Sequence, residues 1–318
     1  MSMNQIQFQH GLSLPDFYRR FGSEEQCSDA LEQARWPDGF RCPHCHHQSA
    51  YRIQGRKHRL YQCCGCRKQA SLLVGTLFER THLPLTTWFL AIYLISEAKT
   101  GLSALALKRQ LGVSYETAWL VQHKLMQAML EREAQYRLNG TVQVDDAYLG
   151  GELTGGKAGR GSENKIPFVA AVSLNEQQHP EYIKLTPVAG FTIKAITDWA
   201  QNNVSPGSKV LSDGLPCFTG VEAAGCRHEP HIAGGKKPKD LPLFLWINTI
   251  LGNVKTSLSG AYHAFNFGKY AARYLAAISY RFNRRFRLDT LPQRLLAAAI
   301  TCMPHTEFQL RKKAELTC

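Results

Sequence analysis

A chain of 318 residues has room for two or three compact units, each able to bury a core. Its 44% hydrophobic and 20% charged content is that of a folded globular protein and excludes wholesale disorder. The 38 Lys+Arg outnumber the 25 Asp+Glu, a formal net charge of +13. A polyanion is therefore the leading partner, because each Lys or Arg laid on a phosphate releases condensed counterions; a merely soluble basic protein is the bland alternative. Met1 to His10 is polar and lacks the apolar run of a signal peptide, and no basic amphipathic anchor for a membrane surface is evident. The longest apolar stretch, Trp88 to Ile95, is too short to span a bilayer, so the expectation is a soluble, cytoplasmic protein without a membrane partner. Of ten cysteines, four fall into a metal-type pattern and the rest are scattered, which fits a reducing compartment better than a disulfide framework.

Residues 14–35 read as short helices, with Ser23-Glu-Glu-Gln26 patterned as a capping box. Cys42-Pro-His-Cys45 and Cys63-Cys-Gly-Cys66 follow, with seventeen residues between the pairs, a spacing suited to a structural Zn²⁺ site. Two residues between thiolates let a tight turn aim both sulfurs at one ion. A hairpin then brings the second pair across to complete the tetrahedron. His44, His46, His47 and Cys64 are competing ligands set aside on spacing, and thiol exchange is the weaker alternative. Arg56-Lys-His-Arg59 falls at the expected hairpin tip, where it suits contact with a phosphate backbone; a folding staple for a core-poor module is the equal alternative.

Residues 84–130 have helical periodicity, with Trp88, Ile92 and Ile95 on one stripe. Within them Leu107, Leu111, Val113, Ala118 and Val121, with Gly112 at a turn and Ser114 as a cap, are spaced like a helix-turn-helix. Tyr115, Glu116, Thr117 and Gln122 would then face bases or phosphates. Lys108 stands where that motif usually packs a small residue, and a plain helical hairpin would show similar stripes.

From residue 140 strands and helices mix. Thr141–Val144, Pro167–Val172, Tyr182–Leu185 and Lys209–Leu211 read as strands; 192–203, 243–258 and 267–285 read as helices. Gly150 to Gly161, with Lys157 and Arg160, and Gly234 to Lys239 are glycine-rich loops, and the first lacks the pattern of a nucleotide cradle. Val142-Gln-Val-Asp145-Asp146 and Lys209-Val-Leu-Ser-Asp213 each end a hydrophobic strand in a carboxylate. Side chains so placed can converge on Mg²⁺, a hard cation that takes oxygen ligands, although helix capping also puts Asp at strand ends.

These motifs, with Trp246-Ile-Asn248-Thr-Ile-Leu-Gly-Asn-Val-Lys255, Gly260-Ala-Tyr-His263 and Tyr280-Arg-Phe-Asn-Arg-Arg285, resemble the zinc-ribbon insertion-sequence transposases of the DDE type, from about residue 14 to residue 300. The resemblance implies an α/β, ribonuclease H-like mixed sheet with flanking helices, preceded by a zinc ribbon and a helix-turn-helix-like region. It further implies Asp145 on the first strand, Asp213 after the fourth and the third ligand on a later helix, together binding Mg²⁺ or Mn²⁺. Where most relatives carry Glu, this chain has Asn248, as a subgroup does. An amide oxygen ligates Mg²⁺ but adds no charge. Glu222 and Glu229 are alternative third ligands, but Asn248 lies seven residues, two helical turns, before Lys255, which would steady a phosphate. Asp146, adjacent to Asp145, is expected on the opposite strand face in a structural role. Arg281, Arg284 and Arg285 read as a phosphate-facing helix end, and Tyr262 and His263 fall near the site without an assigned role.

The organisation so read is N-terminal helices over 1–35, the ribbon over 36–75, the helical region over 76–135, the catalytic domain over 136–290 and a C-terminal tail over 291–318. The implied partners are double-stranded DNA, both terminal inverted repeats and target, and further copies of the chain in a homodimer or larger synaptic complex. Three rivals stand beside an active transposase. They are a lapsed, DNA-binding descendant, a structure-specific nuclease on the same core, and a zinc-ribbon transcription factor that would leave the α/β domain without a role.

Overall fold

The computed structural model describes residues 9–55, 58–151, 165–232, 241–263 and 265–312, and divides into two compact units. The expected loops at 150–161 and 234–239, and Arg56 and Lys57 of the hairpin tip, lie largely or wholly outside the described residues.

One unit comprises Met1–Met129 and Phe286–Leu310. Helix α1 (Leu14–Phe21) is capped by Ser13, and α2 (Glu24–Arg35) by Ser23 and Gln26 in the reciprocal arrangement of a capping box. Strands β1 (Ala50–Ile53), β2 (Leu60–Cys63) and β3 (Gln69–Ser71) form an antiparallel sheet in that order. Three helices follow, α3 (Leu85–Glu97), α4 (Ala104–Leu111) and α5 (Tyr115–Glu133). Gly112, at φ 67° and ψ 31°, makes the left-handed turn that closes α4, a conformation in which a side chain is strained. Beyond the stretch read as a domain end, α9 (Leu291–Thr301) buries Leu291, Leu295, Leu296 and Ala299 in this unit, and the Leu77 amide donates to Ala299 O at 3.0 Å.

The other unit comprises Leu130–Arg285 and Arg311–Cys318. It is built on β4 (Thr141–Leu149), β5 (Ile166–Leu174), β6 (Pro180–Pro187), β7 (Lys209–Ser212) and β8 (Arg227–Pro230), with α6 (Ile193–Asn203), α7 (Leu245–Ser257) and α8 (Phe267–Phe282). The sheet order is β6-β5-β4-β7-β8: β5 is antiparallel to β4 and β6, while β7 is parallel to β4 and β8. This is the ribonuclease H-like mixed sheet, three meandering strands extended by two that need crossovers. Alternation assigns its two faces. Val142 and Val144 of β4, Val169 and Ala171 of β5 and Val210 of β7 pack with Ile196, Trp199, Phe218 and Val221 into one core. Gln143 and Asp145 belong to the opposite face, where α7 packs on β4 and β5. Among the described residues no helix is long and apolar enough to cross a membrane.

Candidate functional site

In the first unit the sulfurs of Cys42, Cys45, Cys63 and Cys66 gather within 4.8 Å of one another. Four thiolates about 2.3 Å from a tetrahedral zinc would have sulfur–sulfur edges of about 3.8 Å. Cys42 and Cys66 stand at 3.7 Å, and Cys45 and Cys63 at 3.5 Å, so the donor set fits the ion. Backbone bonds shape both turns alike. The His46 amide donates to Cys42 O and the Arg67 amide to Cys63 O, and His46 and Arg67 both adopt φ 60°. Burial opposes ionisation of Cys42, but amides including that of His44, 3.4 Å from the sulfur, bring its thiol down to about 6. His44, His46, His47 and Cys64 stay outside the cluster.

Arg59 does not wait for a phosphate. It is buried and ion-pairs with Glu25 at 2.5 Å, Asp29 at 2.7 Å and Glu32 at 2.7 Å, all on α2. Tyr61 stacks with Phe40 and meets Trp36 edge-on. The ribbon is thus sewn to α2 by polar contacts, while Trp36 and Phe40, just after that helix, supply the aromatic cover its small sheet lacks. In the helical region Gln122 is also corrected: it is 2% exposed and donates inward to Leu102 O. Tyr115 and Glu116 are exposed at the start of α5, and Ser114 caps that helix through the Thr117 amide.

In the second unit Asp145 and Asp213 converge. β4 and β7 pair in parallel as Thr141↔Lys209, Val142↔Val210 and Gln143↔Leu211. The same offset, carried two residues on, sets Asp213 beside Asp145. Carboxylate oxygens of Asp145, Asp146 and Asp213 all lie within 4.8 Å of one another, each residue half-buried. Asp146 lies in register with core-facing Val169 and Asp145 with Ala170, as alternation requires, yet their carboxylate oxygens come this close. β7 ends at Ser212, so beyond Gln143 the β7 side of β4 has no strand neighbour, and side chains from both faces can turn around the open edge. Asp145 Oδ1 also accepts from the Asp146 amide at 2.9 Å, folding the first carboxylate along the strand.

Helix α7 is tied to this strand by Gln143, buried two residues before Asp145. Its Nε2 donates to Leu243 O at 2.5 Å and its Oε1 accepts from the Ile247 amide at 3.2 Å, one of the donors a helix start leaves free. A cavity of about 280 Å³ lies beyond, lined by Asp146, Ala147, Tyr148, Phe168, Leu251 and Lys255 among others. Asn248 is half-buried and stands three residues before Leu251 and seven before Lys255, on the helix stripe those two bring to the cavity. Glu229 is engaged by Lys209 at 2.7 Å and Arg227 at 3.1 Å, ion pairs that hold its carboxyl below the usual range, and Glu222 is exposed and outside the cluster.

The arginines at the end of α8 are structural, not phosphate-facing. Arg281 is buried and donates to the Tyr262 hydroxyl. Arg284 pairs with buried Glu133 at 2.5 Å and stacks on Tyr280. Arg285 donates to the carbonyls of Pro180, Glu181 and Phe282, and burial pushes its guanidinium down to about 10. Between them Asn283 accepts from the Ile183 amide at 2.7 Å and donates to Ile183 O at 3.0 Å, satisfying edge strand β6 as a neighbouring strand would. Spacing alone could not distinguish this arrangement from a basic surface. The buried Asn between the arginines was the missed signal. His263 is exposed at φ 49° after a π-helical turn over Leu258–Tyr262.

Comparison with known proteins agrees with this geometry. The transposase zinc-ribbon domain matches residues 22–69, starting before α2, and the ISXO2-like transposase domain matches residues 137–283. An uncharacterized protein in transposable element ISH50 of Halobacterium salinarum is 29% identical over 177 residues, 51% of this chain; the match spans 59% of that relative's length. The crystal structure of the Mos1 mariner paired end complex with Mn aligns over 67% of this chain and 78% of its own, at 15% identity and a TM-score of 0.24, too loosely to bear on the argument. Two transposase domain models thus match in this order, each over a stretch that holds one of the two ligand clusters, and the chain is similar on both counts to the zinc-ribbon insertion-sequence transposases.

Proposed function

We propose that the chain binds the terminal inverted repeats of its own insertion sequence and catalyses metal-dependent strand cleavage and strand transfer. The single observation that carries this reading is the convergence of Asp145 and Asp213 at the β4–β7 edge of a transposase domain, with α7 fixed against it. Asp145, Asp213 and Asn248 would hold Mg²⁺ or Mn²⁺, which when bound activates an attacking oxygen and stabilises a leaving one. Lys255 steadies the phosphate from the cavity wall. In cleavage, water bonds to phosphorus at the element's end as the bond to the 3′ oxygen breaks; that oxygen leaves protonated as a 3′-OH. In transfer, the 3′-OH loses its proton, bonds to a target phosphorus and displaces the target strand's own 3′ oxygen. One phosphodiester replaces another, so no external energy source is needed.

The ribbon, with a structural Zn²⁺, and α3–α5 would bind the ends, with Tyr115 and Glu116 foremost on α5. The domain limits read from the sequence are kept as part of this proposal, 1–35, 36–75, 76–135, 136–290 and 291–318, with α9 of the last segment belonging to the first unit. Two ends must be cut and joined together, which calls for a homodimer or larger assembly, working on the nucleoid in the cytoplasm.

The test incubates the purified chain and Asp145→Ala with a plasmid carrying the gene and its native flanks, in Mg²⁺ or Mn²⁺, and maps nicks to the nucleotide. Paired nicks at inverted repeats, joined products and their loss in the variant are expected. Binding at the ends without cutting would leave a lapsed, DNA-binding descendant, and cutting without joined products a nuclease.

A further inference from the structure

We propose that Asp146 is a further metal ligand of this centre, supplying the negative charge that the amide at Asn248 does not. The inference rests on the transposase reading above and deepens it.

With Asn248 as third ligand, Asp145 and Asp213 bring only two negative charges to cations carrying two positive charges each, and the affinity of such oxygen sites follows the number of charged ligands. The structure places one more carboxylate within reach. Asp146 offers an oxygen within 4.8 Å of both Asp145 and Asp213, a span that two cations with oxygen ligands at about 2.1 Å can bridge. Asp146 and Asp145 alternate across β4, and the pairing of β4 with β7 stops at Gln143, before either carboxylate. Asp146 and Lys255 both line one cavity, so a phosphate there would be within reach of both groups. This departs from a set with its third charge on α7: here that charge comes from the strand, so a neutral residue on the helix suffices.

The probe is Mn²⁺ alone, titrated into the zinc-loaded full chain, with free Mn²⁺ read by electron paramagnetic resonance. Zinc content and melting temperature establish that each variant is folded. Asp146→Asn is isosteric and should lower Mn²⁺ affinity by roughly ten- to a hundredfold, the range for losing a supporting partner of a metal site. Asp145→Asn should do at least as much. Placing a carboxylate on the helix, Asn248→Glu in the Asp146→Asn background, should restore most of the lost affinity. Wild-type affinity in Asp146→Asn beside a loss in Asp145→Asn would overturn the role of Asp146 and leave the transposase reading intact. Absence of Mn²⁺ binding by the wild-type chain would remove the metal reading, and this inference with it.

Discussion

The two ligand clusters of this chain are built on opposite plans. The four sulfurs are closed in by their own turns: the amide bonds that shape each pair come from residues within five positions of the cysteines, and the sulfur edges already have zinc's dimensions. The three carboxylates sit half-buried on two strands brought side by side, and behind them Gln143 ties β4 to α7. A soft, tetrahedral, fully protein-ligated site suits an ion that holds a small module together. An oxygen site with an open side suits an ion that must meet substrate. The first plan stores its rigidity in the metal, the second in the scaffold, and the two should fail differently.

The largest expected effect is at the sulfurs. Structural zinc contributes roughly 10 kcal/mol or more to folding of a ribbon of this kind, so Cys63→Ser or strong chelation should unfold residues 36–75 while the β4–β8 sheet persists. Hydrogen exchange resolved by segment would show this. Retained protection in β1–β3 after zinc release would mean that Arg59 and its three acids on α2 hold the ribbon unaided.

Next comes the scaffold of the oxygen site. Glu133 accepts from Tyr136, Asn283 and Arg284 with both of its oxygens engaged. Glu133→Ala strands a buried guanidinium and should cost about 3–5 kcal/mol in denaturant unfolding, with Mn²⁺ affinity of the folded fraction unchanged. A change in affinity of the same order would show that the site and this polar layer are one cooperative structure.

The contrast also explains what the sequence made legible. The thiolate spacing, the two strand-end aspartates and the seven-residue step from Asn248 to Lys255 are local patterns, and local geometry follows from them. The strands read from periodicity reappear in longer form, and the helices expected over 192–203, 243–258 and 267–285 in slightly shorter form. What stayed hidden depends on partners far along the chain. Arg59, Gln122 and Arg284 look like free polar groups until α2, Leu102 and Glu133 are brought to them. That the Asp146 carboxylate comes close to Asp145 and Asp213 could not be read from β4 either, because where β7 stops is not written there. Strands β3 and β8 are too short to show a period, and the burial of α9 among elements more than 190 residues earlier leaves no local trace.

Lys184 tests the scaffold through pH. It is 5% exposed on β6, lies 4.7 Å from the Tyr136 ring centre, and burial lowers its pKa from 10.5 to about 8, with Glu133 opposing. Below pH 8 folded and unfolded chains both carry the charge and the folded state bears the whole penalty. Between about 8 and 10.5 the unfolded chain holds more protons, so stability rises with pH, by up to ~3 kcal/mol from this group. Lys184→Met should therefore stabilise the unit at pH 7 and flatten that rise, read by denaturant midpoints at pH 7 and 10. Destabilisation at pH 7 would mean that Tyr136 and Glu133 more than offset the burial.

The smallest effect on stability should come from Gln143→Leu, and it discriminates most between the two plans. The substitution keeps side-chain size but leaves Leu243 O and the Ile247 amide unmet, a loss of about 1–3 kcal/mol. If the site borrows its geometry from the scaffold, the cost in function exceeds the cost in fold. α7 would keep its apolar seat through Ile247, Ile250 and Val254 while Asn248 and Lys255 lose their register against Asp145. End-nicking rate should then fall roughly ten- to a hundredfold, as for a lost supporting partner, with melting lowered only modestly. A nicking rate that tracks the folded fraction alone would mean the apolar seat suffices, and the carboxylate site would be nearly as self-contained as the thiolate one.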